Sequence, residues 1–94
     1  MSQPIVIVPT VGRVVWFNQM TPDVFPGSDG TCAAIVTYVH SVRLVNLCVF
    51  DANGHPHPRT SVQLVQPGDE VPTTMHCLWM PFQVQQSAKY AAAA

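Results

Sequence analysis

A chain of 94 residues holds a single domain with one modest core. Its net charge of −1, from four basic and five acidic residues, argues against a binder driven by phosphate neutralisation, which needs clustered Lys and Arg. No apolar run approaches the roughly 20 residues that span a bilayer, and no basic start with an apolar core marks a secretion signal.

Charged residues make up only 10% of the chain, against about a quarter in ordinary globular proteins. Either uncharged polar side chains solvate the outside or a second subunit covers part of it, and the expectation is a homo-oligomer. Cys32, Cys48 and Cys77 are an odd number, and all fall in apolar runs. They read as small buried hydrophobes in a reducing compartment, which places the expected protein inside a cell.

Residues 5–8 are apolar but bracketed by Pro4 and Pro9, which cannot donate ladder hydrogen bonds. They are expected as an edge strand or an extended N-terminal arm over residues 1–10. Gly12 opens the first firm strand pattern, which ends at Trp16-Phe17. Between Asn18 and Thr31, Pro22, Pro26, Gly27 and Gly30 mark a long loop whose Val24-Phe25 pair can tuck onto the barrel or a neighbour. Residues 32–40 and 42–50, separated by Ser41, form a tight hairpin or one bent strand.

In residues 42–50, Val45, Leu47 and Val49 face one way and Leu44, Asn46, Cys48 and Phe50 the other. Both faces are largely apolar, which predicts a strand covered on two sides, with Asn46 needing partners. Asp51-Ala52-Asn53-Gly54 is a turn in which Gly54 supplies the positive φ. A strand follows over residues 61–66, then the Pro67-Gly68-Asp69-Glu70 loop and a last strand over residues 75–82 carrying Trp79. Residues 83–94 lack an apolar stripe and are expected as a weakly ordered tail, since a short isolated helix is marginal in water.

Five or six short strands on a meander predict an all-β fold, one small SH3-like or alternatively OB-like barrel over residues 11–82. A barrel this small has no roomy interior, so recognition moves to its outside.

The side chains that could do chemistry do not assemble into a catalytic pattern. His55 and His57 flank Pro56 in what reads as a solvated loop, His40 ends a strand, and His76 precedes Cys77. Zinc needs three or four converging ligands, and no Cys-x-x-Cys or helical His pair completes a set, so neither metal nor cofactor is expected. The acidic residues fall in turns, where Asp bonds locally, and no nucleophile has an evident base. The expectation is a protein that is not an enzyme.

Trp16, Trp79, Tyr38, Phe17, Phe50 and Phe82 come from different strands and are expected in the core and its rim. A sharper possibility sets Trp16 or Trp79 beside Arg13, Arg43 or Arg59, with Asn46 contributing an amide. Stacking plus bidentate guanidinium contacts hold planar anions such as nucleotides.

Val11-Gly12-Arg13-Val14-Val15-Trp16-Phe17, Ala33-Ala34-Ile35-Val36-Thr37, Val45-Asn46-Leu47-Cys48-Val49-Phe50, Gly54 and Trp79-Met80-Pro81 carry a resemblance. Over residues 10–82 the chain resembles small, mostly uncharacterised accessory proteins of tailed bacteriophages and prophages. The opening is also similar to Tudor- and KOW-type barrels, with little of their positive charge. The phage resemblance implies a non-enzymatic accessory protein in the host cytoplasm or the virion. Its most concrete form is a counter-defence protein that captures a nucleotide-type signal or a host protein at an oligomer interface. A capsid decoration or tail accessory protein is the rival, and a nucleic-acid-binding barrel the weaker third.

Overall fold

The computed structural model describes residues 6–19 and 31–93. The interior of the expected long loop with its Val24-Phe25 pair, Ile5 and Ala94 lie outside the described residues. Five strands, β1 (Val14–Asn18), β2 (Thr31–Ser41), β3 (Leu44–Phe50), β4 (Pro56–Val65) and β5 (His76–Leu78), close into a barrel in the order β1-β2-β3-β4-β5. A helix, α1 (Pro81–Ala93), follows.

The β-branched alternation makes the barrel. Val15, Phe17, Ala34, Val36, Val45, Leu47, Val49, Val62, Leu64 and Cys77 point inward and are almost wholly buried. β2 and β3 form the expected hairpin, and Gly54 closes the next turn at φ 83°, its N–H donating to the Asp51 carbonyl at 2.9 Å. Register shifts between Val36 and Tyr38, Val39 and Ser41, and Val45 and Leu47 bend the long β2–β3–β4 sheet.

Several expectations are corrected. The connection is not a plain meander: β5 runs parallel to β4 and antiparallel to β1, which shuts the barrel. Val6 to Val8 form no strand; they lie as an arm held by Gln66, whose Oε1 accepts from Ile7 N and whose Nε2 donates to Ile7 O, both at 2.9 Å. β4 starts at Pro56, so His57 is a strand residue opposite Val49 rather than a loop residue.

The outer side of β3 is only partly covered: Asn46, Cys48 and Phe50 are half-buried and Leu44 is exposed. The aromatic set divides as well. Phe17 and Trp79 are core, Phe50 is half-buried, and Trp16, Tyr38 and Phe82 are exposed.

Residues 83–93 of the expected tail are helical, and the last strand stops at Leu78. Pro81 takes the first helical position, where a missing N–H costs nothing. Gln83 completes the start: its Oε1 accepts from Met80 N at 2.8 Å, half of a capping box. Its Nε2 donates to Val14 O at 2.8 Å, which ties the helix to β1. No helix among the described residues is long and apolar enough to cross a membrane.

Candidate functional site

Four of the six residues expected at a binding surface, Trp16, Arg43, Arg59 and Asn46, fall in separate surroundings. Arg43 sits in the β2–β3 turn, with Nε 2.9 Å from Asp69 Oδ2 and Nη2 3.2 Å from Oδ1. That pair raises the Arg43 pKa and lowers that of Asp69, which also accepts from Gln66 N at 3.0 Å. Arg43 is thus committed to holding two loops together. Arg59 lies on β4 opposite Leu47 and donates from Nη1 to the Pro58 carbonyl at 2.8 Å.

Asn46 is a structural acceptor. Its Oδ1 takes Ser61 N–H at 2.8 Å, holding Ser61 in a left-handed conformation at φ 55°, and lies 2.9 Å from His40 Nε2. Trp16 faces outward from β1 between Ala33 and Leu78, and Trp79 is 4% exposed, so the tryptophans do not share a surface.

Arg13 and Trp79 do meet. A cleft of about 290 Å³ opens between the arm, the start of β1 and α1, lined by Ile7, Arg13, Trp79, Phe82, Gln83, Gln86 and Ser87. A second cleft of about 420 Å³, lined by Thr10 to Val14 and Gln83, shares Arg13 and Gln83 with it. The Arg13 guanidinium makes no hydrogen bond or ion pair among the described residues. The backbone fixes its position instead: Arg13 N donates to Thr10 O at 3.1 Å, and Val36 N donates to Arg13 O at 2.9 Å.

Among the described residues Trp79 Nε1 has no acceptor although it is buried, an omission that ordinarily costs about 1–3 kcal/mol. Phe82, expected with the other aromatics in the core and its rim, is 69% exposed at the cleft and supplies its accessible aromatic face. Phe82, Gln83, Gln86 and Ser87 escaped the sequence reading because they sit on the unexpected helix. The signal that finds them is Pro81 followed two residues later by Gln83, a helix start.

The histidines and thiols are accounted for otherwise. Asp51 is buried at the end of β3; its Oδ1 accepts from Asn53 N at 2.8 Å and His55 N at 3.0 Å, and its Oδ2 from His57 Nε2 at 2.9 Å. His76 is buried and donates from Nδ1 to Thr74 O at 2.7 Å, and its Nε2 has no partner among the described residues. Burial pushes the Cys77 thiol up to about 12, far from thiolate reactivity at neutral pH. No three His, Cys, Asp or Glu side chains among the described residues gather as metal ligands do. No protein-family model, curated protein or solved structure matches the chain.

Proposed function

We propose that the protein works by binding, and that the arm–β1–α1 cleft takes a small planar anion of the nucleotide kind. The observation that carries the reading is Arg13, a guanidinium with no partner among the described residues, on the wall shared by two adjoining clefts. It supplies the charge and the bidentate geometry that a phosphate or carboxylate needs. Phe82 offers a face for stacking, and Gln86 and Ser87 offer polar groups for a ring edge. A volume near 290 Å³ lies at the lower end of ligand sites, so a mononucleotide fits better than a larger cofactor. In the phage setting implied by the resemblance, capture of such a signal serves counter-defence.

The test is a thermal-shift titration with AMP and GMP. Saturable stabilisation is expected for the wild type and at least a tenfold loss of affinity for Arg13→Ala, with an unchanged melting temperature of the free protein, because Arg13 is exposed. Arg43→Ala is the control: it lowers free-protein stability by opening the Asp69 pair but leaves nucleotide affinity intact. Absence of any shift with both nucleotides removes the reading.

A further inference from the structure

A mononucleotide in the first cleft leaves the larger one, of about 420 Å³, empty. Arg13 and Gln83 line both and mark where the two adjoin. Phe82 and Gln86 line only the first, and Thr10, Val11 and Val14 only the second. The second cleft is no phosphate subsite of its own. Val11 and Val14 give it an apolar wall, 66% and 39% exposed.

The boundary between the clefts carries a single charge. Among the described residues Arg13 is the only charged residue lining either cleft, and Lys89 on α1 lines neither. The nearby polar groups are already engaged. Gly12 N donates to Val36 O at 2.8 Å and Arg13 N to Thr10 O at 3.1 Å. The Gln83 amide is committed at both ends, to Met80 N and Val14 O.

We infer that the ligand is a dinucleoside monophosphate, with its phosphodiester on Arg13 and one nucleoside in each cleft. The inference rests on the nucleotide reading of the first cleft and names the class of nucleotide. A phosphodiester bears one negative charge and a substituent on either side, which matches one guanidinium where two clefts adjoin. A monoester bears a charge of about −1.5 to −2 at neutral pH. Its excess charge meets no second cation here, and it has no second substituent to cover Val11 and Val14. Together the clefts reach well into the range of ligand sites, roughly 300–1,000 Å³, whereas the first alone sits at its lower edge.

Isothermal titration calorimetry at neutral pH with adenylyl-adenosine (ApA) and AMP tests the inference. ApA is expected to bind at least about tenfold more tightly than AMP. Arg13→Ala is expected to weaken both. Val11→Ser, at an exposed turn position, is expected to shrink the ApA-over-AMP preference at least about threefold, since it strips apolar surface from the second cleft. Amide shift mapping gives an independent reading: ApA moves Thr10, Val11 and Gly12 as well as Arg13 and Phe82.

Salt dependence separates a free dinucleotide from a nucleic-acid strand. A single phosphate contact gives a log–log slope of about −0.7, expected alike for ApA and for the ten-residue strand r(A)10. A slope for r(A)10 steeper than about −2 means several phosphates are engaged and overturns the dinucleotide assignment. Equal affinity for ApA and AMP overturns the inference and leaves the nucleotide reading standing, as do 10–12 amides that ApA leaves still. Absence of binding by both ligands removes the inference and that reading together.

Discussion

Asp51 keeps a carboxylate charged although its side chain is 4% exposed, by accepting three hydrogen bonds, two at Oδ1 and one at Oδ2. The His57 hydrogen bond, opposed by desolvation and helped by the His55 and Asn53 amides, holds its pKa down at about 2. Because the folded-state pKa lies below the ordinary 3.8, the stabilisation is complete above about pH 4 and fades as pH falls toward 2. Asp51→Asn should therefore melt below the wild type at neutral pH, with the gap closing between pH 4 and 2. Circular-dichroism melts across that range check it, and a gap that does not narrow contradicts it.

The Asp-Ala-Asn-Gly turn was legible because Asp, Asn and Gly each favour that backbone. The role of His57 was not, since Pro56 and Pro58 on either side look like strand breakers. They are tolerated because, among the described residues, only the last part of β4, from Gln63 onward, pairs with β5. Residues 56–60 pair with β3 on one side, and among the described residues no strand pairs with them on the other, where a proline interrupts no ladder.

At the scale of elements, the strands were legible and the ends of the chain were not. Period-two alternation of Val, Leu and Ala in β1 to β3 encodes which side faces the core, and that alternation is what the barrel buries. α1 lacks an apolar stripe, so periodicity is blind to it. Its start is written in backbone chemistry instead, a proline at the first position and a glutamine reaching back to Met80 N.

The arm is fixed by a single buried amide. Gln66, 1% exposed, bonds both polar groups of Ile7 and also donates to Val42 O at 2.6 Å. Gln66→Leu strips three backbone groups of their partner and should destabilise the fold by about 2 kcal/mol. It should also release the arm, raising the hydrogen-exchange rate of the Ile7 amide beyond that of Val36 in the barrel. Equal acceleration at both positions would mean that the amide supports the core and not the arm.

The whole molecule divides labour between a closed interior and an open exterior. Val15, Phe17, Val36, Val49 and Leu64 are among the side chains buried inside the barrel. Sequence spacing reveals such an interior because each strand contributes locally. It does not reveal the cleft, whose wall is gathered from Ile7, Arg13, Trp79 and the first turns of α1, positions brought together only by barrel closure and the helix. Of the expected surface residues, Arg13 and Trp79 share that wall, while Arg43 and Asn46 serve as internal ties.

The central claim is that recognition occurs at this cleft, outside the barrel, through Arg13. Amide and indole chemical-shift mapping during titration with AMP tests it most directly. The account predicts shifts concentrated at Arg13, Phe82, Gln83, Gln86, Ser87 and the Trp79 indole, with the β3–β4 amides still. Shifts centred on Trp16 and the outer rows of the sheet, or no shifts at saturating nucleotide, would contradict it.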